Sequence, residues 1–365
     1  MSIELITSLI KANIVLAVLL TNTILLIWFE RKVVAGMQSR VGPDRAGPFG
    51  ILQTLADAIK LLLKEQILPS KADRAMYLLA PLIALVPSFL IFMIIPLGPD
   101  ITFEWQNSLY TIPLVGADLN VGVLYFLALS SIAVYSVVLA GWSSGSKYPL
   151  LGGVRASAQM ISYEAAMGLA LVPIILYSGS LSLVDIVNSQ AGNLSTSIPI
   201  LNSIVSFIPK WNIFPQFVAF GIFFIAAVAE VNRAPFDLVE AEQELVGGFH
   251  TEYSGFRFAM FFLAEYINMF NMCAITATFF LGGWLGPTFE GILPPIFSVI
   301  MPIIWLGAKT FLLLFVFVWI RATLPRLRYD QLMELGWKRM IPLSLVWLIL
   351  SAIVLGLREF GFPWS

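Results

Sequence analysis

Residues 121–142 read VGVLYFLALSSIAVYSVVLAGW, a stretch without a single charged side chain. As a helix it is about 33 Å long at 1.5 Å per residue, the thickness of a bilayer's hydrocarbon core. In lipid a helix satisfies its own backbone hydrogen bonds without a paired neighbour, so this block reads as a transmembrane helix. Working outward, comparable blocks occupy residues 12–29, 77–95, 160–177, 217–231, 258–281, 296–320 and 341–357. Most reach about 20 residues alone, and the shorter ones do so with their flanks. The pattern predicts an all-α integral membrane protein of about eight spans, with residues 1–365 as one polytopic domain. Hydrophobic residues make up 59% of the chain, charged ones 12%, and mean hydropathy is +0.88. A soluble chain carries roughly 25% charged residues, so this one has too few to coat a water-facing surface.

The first block is long for a signal sequence. Phe29-Glu30-Arg31-Lys32 follows it where small residues would mark cleavage, so it is expected to stay as an anchor. The basic residues sort by loop. Residues 33–75, which join the first two blocks, hold Arg40, Arg45, Lys60, Lys64, Lys71 and Arg74, with Arg31 and Lys32 just ahead. The next odd-numbered loops carry Lys147 and Arg155, then Arg233 and Arg257, then Arg321, Arg326, Arg328, Lys338 and Arg339. The opposite side has Lys11, Lys210 and Arg358, and Lys309 falls inside a block. Cytoplasmic loops retain Lys and Arg, which puts the odd loops in the cytoplasm and both termini on the other side.

Within residues 33–75, Gly42-Pro43 and Gly47-Pro48 break the chain before residues 51–65. There Leu52, Leu55, Ile59, Leu62 and Leu63 recur at helical spacing against Gln53, Asp57, Lys60 and Lys64. This is an amphipathic helix too short and too charged to span. Its pattern fits a helix lying in the headgroups and equally one that roofs a cavity for an amphipathic ligand.

Residues 230–256 form an acidic cytoplasmic loop. Glu230, Asp237, Glu240, Glu242, Glu244 and Glu252 stand there beside Pro235-Phe236, Leu245-Val246 and Phe249. Acids interleaved with apolar residues suggest a loop packed against protein. Inside the blocks lie Glu164, Glu265 and Lys309. A charge at mid-bilayer costs roughly 2.5–3.5 kcal/mol on insertion scales, so these groups should face the bundle interior and pair or share protons. Glu230, near a helix end, fits a side chain reaching the membrane surface as well as an interior one. Carboxylates in such a row suggest a proton relay.

Other chemistries find no footing. Net charge is −1, which draws the chain to no nucleic acid. Cys273 and His250 are the only residues of their kinds, and no glycine-rich nucleotide fingerprint is present. The chain is expected to hold no metal and no redox cofactor.

These residues resemble a known family, the membrane subunit of respiratory complex I (NADH:quinone oxidoreductase) that adjoins its peripheral arm. The likeness runs through Glu30-Arg31-Lys32, Arg40-Val41-Gly42-Pro43 and Ala56-Asp57-Ala58-Ile59-Lys60. It continues through Ser162-Tyr163-Glu164, Glu230-Val231-Asn232-Arg233-Ala234-Pro235-Phe236-Asp237, Ala264-Glu265-Tyr266 and Pro325-Arg326-Leu327-Arg328-Tyr329-Asp330-Gln331. The resemblance implies a translocase subunit without a redox centre of its own. Its substrate would be a quinone, reached through a tunnel shared with peripheral-arm subunits that carry the terminal iron–sulfur cluster. NADH, FMN and the iron–sulfur clusters would belong to partner subunits, and other membrane-arm subunits would flank the chain in a bacterial plasma membrane or its equivalent.

By the same resemblance Arg31, Arg40, Asp57 and Lys60 would line the quinone tunnel or its mouth. Tyr163, Glu164, Glu230, Glu240, Glu242, Glu244, Glu265 and Lys309 would form the proton path, and Arg321 and Arg326 would support the docking surface. The chain departs from the family pattern at Ser131, where many relatives have an acid, and at Val239, where proline is usual. A hydroxyl passes a proton but holds no charge, so a water or a different acid is expected near Ser131. Two other readings stand beside this one. The membrane anchor of a hydrogenase or of a ferredoxin-dependent complex would look similar. A proton-coupled transporter would show internal repeats, which the two halves lack.

Overall fold

The computed structural model describes residues 3–105, 108–193, 209–237, 246–287 and 296–360. Among them seven helices are long and apolar enough to cross a membrane. They are α1 (Ile3–Met37), α3 (Arg74–Met93), α4 (Gly122–Ser143), α5 (Lys147–Ser178), α8 (Gly255–Phe280), α9 (Ile296–Thr323) and α11 (Ile341–Phe360). The block at 217–231 forms α7 (Phe217–Glu230), whose 14 residues make it about 21 Å long. It lies within the bundle, with Phe223, Ala226, Ala227 and Ala229 fully buried.

Short helices complete the chain: α2 (Leu52–Leu63), α6 (Leu183–Ser189) and α10 (Tyr329–Glu334). A π-helical stretch, Leu335–Met340, fuses α10 to α11. The loop after α3 holds a small antiparallel hairpin, β1 (Ile101–Trp105) and β2 (Ser108–Ile112), with Ile101 opposite Ile112. Apolar blocks gave no sign of it.

Close packing fixes how the helices sit. A Cβ on Gly141 of α4 would come within 2.5 Å of the Pro149 carbonyl oxygen in α5. One on Gly152 would lie 2.7 Å from Cα of Gly248. Glycine at both positions lets α4, α5 and the 246–254 loop touch backbone to backbone, as small residues do in membrane bundles. Asn271 of α8 donates to the Ser88 carbonyl of α3 at 2.7 Å. A buried amide used this way ties two helices together.

Candidate functional site

Two cavities lie on the side of the bundle that carries the basic loops. The outer one is a chamber of about 640 Å³ between the end of α1, α8 and the end of α9. Glu30, Arg31, Arg40, Tyr266 and Arg321 supply its polar wall, and Val34 and Phe262 part of its apolar wall. The inner one, about 70 Å³, is lined by residues of α3, α4, α5, α7 and α8. Glu230, Arg233, Asp237, His250, Glu265 and Asn268 line it. A water needs roughly 10–15 Å³ of such space and two to four polar partners, so the inner cavity has room for a few.

Arg233 joins the two. Its Nη1 lies 3.1 Å from Glu30 Oε1 and its Nε 2.5 Å from Glu265 Oε1, while its guanidinium covers the Tyr266 ring at 4.5 Å. Glu30 also accepts from Arg321. Arg321, Glu30, Arg233 and Glu265 thus form one ion-pair run from the chamber wall to the inner cavity. Arg233 and Glu30 are only 5% and 4% exposed, so neither charge could stand there without the other.

Asp57, on α2, hydrogen-bonds Arg31 at 2.6 Å and Gln53 at 3.0 Å, with Lys60 at 3.9 Å. Burial works against the charge on Asp57. The hydrogen bonds and the positive charges of Arg31 and Lys60 outweigh it and hold the carboxyl below its ordinary range. Arg40 is steadied by Gln38, its Nε donating at 2.7 Å. Lys60 is largely exposed and does not line the chamber.

Of the membrane carboxylates, Glu230 and Glu265 face the same cavity. Glu164, on α5, does not line that cavity but lies within electrostatic range of Glu230. It accepts from Ser130 at 3.1 Å and from Ser131. Ser131 therefore acts on Glu164 directly. Each serine also has a backbone carbonyl in reach, Leu127, so its one proton can serve either acceptor. Glu230 Oε2 is buried without a hydrogen-bond partner.

Other expected residues lie elsewhere. Tyr163 turns away from the cavities, donates to the Leu332 carbonyl at 3.0 Å and packs on Phe236. Lys309 is caged: its ammonium donates to the carbonyls of Leu281, Gly283 and Leu285 and covers Trp211 at 4.2 Å. Arg326 pairs with Asp237 at 3.2 Å. Arg321 points into the chamber as well as towards the surface. Glu240, Glu242, Glu244 and Val239 fall outside the described residues.

Sequence reasoning assigned no site role to Glu30, Arg233, Asp237 or His250. The signals were there: a glutamate closing an apolar block, and the lone arginine in an acidic loop. His250 is clasped by Phe249, Phe258 and Phe261, and its Nε2 is sealed from solvent without a partner. Burial pushes its imidazole down to about 3.

A family model described as NADH dehydrogenase matches residues 10–352. Three relatives are named as subunits of NADH-quinone oxidoreductase. The Koribacter versatilis protein is 47% identical over 362 residues, covering 97% of this chain and 98% of its own. The Syntrophobacter fumaroxidans protein is 51% identical over 336 residues, 92% of each chain. The Geobacter metallireducens protein is 50% identical over 359 residues, 95% of each.

Proposed function

Because the chain belongs to the NADH dehydrogenase family, we propose that it walls the quinone chamber of an NADH-quinone oxidoreductase and couples quinone reduction to proton movement. It is a multi-pass membrane subunit of that oxidoreductase, and its basic loops face the cytoplasm in a bacterial plasma membrane. Electrons arrive from an iron–sulfur cluster in a peripheral-arm subunit, and NADH and FMN are handled further away. Arg321 and Arg326 brace the surface on which that arm rests. The glutamates at 240, 242 and 244 extend the acidic path.

The observation that carries the reading is the ion-pair run Arg321–Glu30–Arg233–Glu265 between chamber and inner cavity. A chamber of about 640 Å³ has the size of a ligand site, roughly 300–1,000 Å³. Its apolar wall suits a quinone ring and its arginines suit the ring oxygens. Two-electron reduction puts negative charge beside Arg31 and Arg321. That charge competes with Glu30 for its guanidinium partners and loosens Arg233 from Glu265. A carboxylate that loses its cation takes up a proton more readily. Glu265, Glu230 and Glu164 then pass the demand inward through the waters of the cavity and the two serine hydroxyls.

Replacing Asp57 with Asn tests the chamber half of this reading. The change removes the charge that orients Arg31 but keeps the shape of α2. Quinone reduction by the assembled complex should fall by about tenfold, the value of one charge-assisted hydrogen bond. Electron transfer to a soluble acceptor upstream should stay unchanged. Equal losses in both assays would indicate faulty assembly and remove the support for a role at the quinone.

A further inference from the structure

A third cavity, of about 480 Å³, opens at the end of the bundle away from the basic loops. Few basic residues were left on that side, yet two of them, Lys210 and Arg358, line this one space with Tyr177, Ser189, Trp211 and Asn212. Neither cation has an ion-pair partner among the described residues. We propose that this cavity binds the phosphodiester headgroup of an anionic phospholipid.

The wall is built to hold still. The Lys210 backbone N–H donates to the Gly192 carbonyl at 3.0 Å. Asn212 donates from its side chain to Phe279 at 2.9 Å and from its backbone to Gln190 at 3.1 Å. Trp211 is wedged between Gly282, whose absent Cβ would lie 2.6 Å from the indole nitrogen, and the ammonium of Lys309. Arginine offers a phosphate two parallel donors and lysine a point charge. Tyrosine and tryptophan mark the headgroup level of a membrane protein.

The occupant should be a lipid because of what lies beside the cations. Arg358 follows Val354 by one turn of α11, and Val346, Leu350 and Val354 form a face about half exposed. An acyl chain can run down that face while its phosphate stays between Lys210 and Arg358. Free phosphate would have no use for it.

The test places a photoreactive residue at Leu355, which lines the cavity, in the assembled complex held in phosphatidylcholine nanodiscs. Radiolabelled phosphatidylglycerol should be captured about tenfold more than radiolabelled phosphatidylcholine, as charge-assisted contacts to phosphate require. The preference should vanish with Lys210→Gln plus Arg358→Gln, shrink with Arg358→Gln alone, and survive excess inorganic phosphate. Equal capture of the two lipids overturns the proposal and needs no variant to show it. So does a preference that outlasts the double substitution. Displacement by inorganic phosphate would assign the cavity to a free anion and overturn the lipid assignment.

Discussion

His250 shows what a single residue contributes here. Its imidazole faces the inner cavity, Nε2 has no partner, and three phenylalanine rings surround it, so charging it inside the fold is costly. With its folded value near 3 against an ordinary 6.5, an opened loop binds the proton and the closed loop does not. The closed form is therefore favoured above about pH 6.5 and loses ground as pH falls. Between roughly pH 7.5 and 5.5 the opening equilibrium of residues 246–254 should rise about tenfold. Hydrogen exchange of the backbone amides of this loop measures it. His250→Gln, which cannot titrate, should abolish the pH dependence; an unchanged slope in that variant would show that another group sets it. Asp57 behaves in the opposite manner to a group that loses its charge on folding. Its partners hold the carboxyl low, so the Arg31 pair persists as pH falls through the ordinary carboxylate range and breaks only below it.

At the scale of elements, α4, α5 and the 246–254 loop behave as one packed unit. The loop rests on α5 at Gly152 and on α3 through a stacked pair, Tyr77 and Tyr253, whose ring centroids are 4.1 Å apart. Each of these tyrosines donates its hydroxyl proton to a backbone carbonyl of the opposite segment, Glu252 for Tyr77 and Tyr77 for Tyr253. Gly152→Val should push Gly248 aside backbone against backbone, at a cost of about 1–3 kcal/mol. Thermal inactivation of the complex at lower temperature, with faster exchange in the loop, is the expected result. A variant with wild-type thermal stability would mean that the loop yields freely.

This contact was not legible in the sequence, since a glycine inside an apolar block looks the same whether it faces lipid or backbone. The blocks themselves were legible because lipid leaves the chain so few solutions. So was α2, whose apolar and polar sides separate cleanly along residues 51–65. Lys309 was not. Its three carbonyl partners come from a turn 24 to 28 residues earlier, and no local pattern says that the turn folds back. Glu30 and Arg233, 203 residues apart, met for the same kind of reason. The acidic character of the 230–256 loop was plain, but which acid would meet which cation was settled by packing.

For the whole molecule, the issue is whether two cavities joined by one arginine work as a coupled device. Arg233 contacts Glu30 and Glu265 from different edges of a single guanidinium plane. A lysine offers a compact charge and cannot span both in that manner. Arg233→Lys should therefore keep the buried charge balanced, allow assembly, and lower quinone reduction and proton pumping together. Glu230→Gln probes the far end of the path. It leaves the chamber and the ion-pair run untouched and removes only the buried group's ability to take a proton. Quinone reduction should stay within about twofold, while protons moved per electron should drop by at least about tenfold, the scale of a lost proton-transfer group. Glu164→Gln should act in the same direction, because its carboxylate is the one that Ser130 and Ser131 address. Both quantities are read in sealed proteoliposomes, with a pH-sensitive dye inside and quinone consumption followed outside. If both glutamine variants pumped at the wild-type ratio, Glu164 and Glu230 would be structural groups and the path would have to run elsewhere. If Glu230→Gln lost quinone reduction as well, the inner cavity would belong to the chamber and the two would not be separable stages.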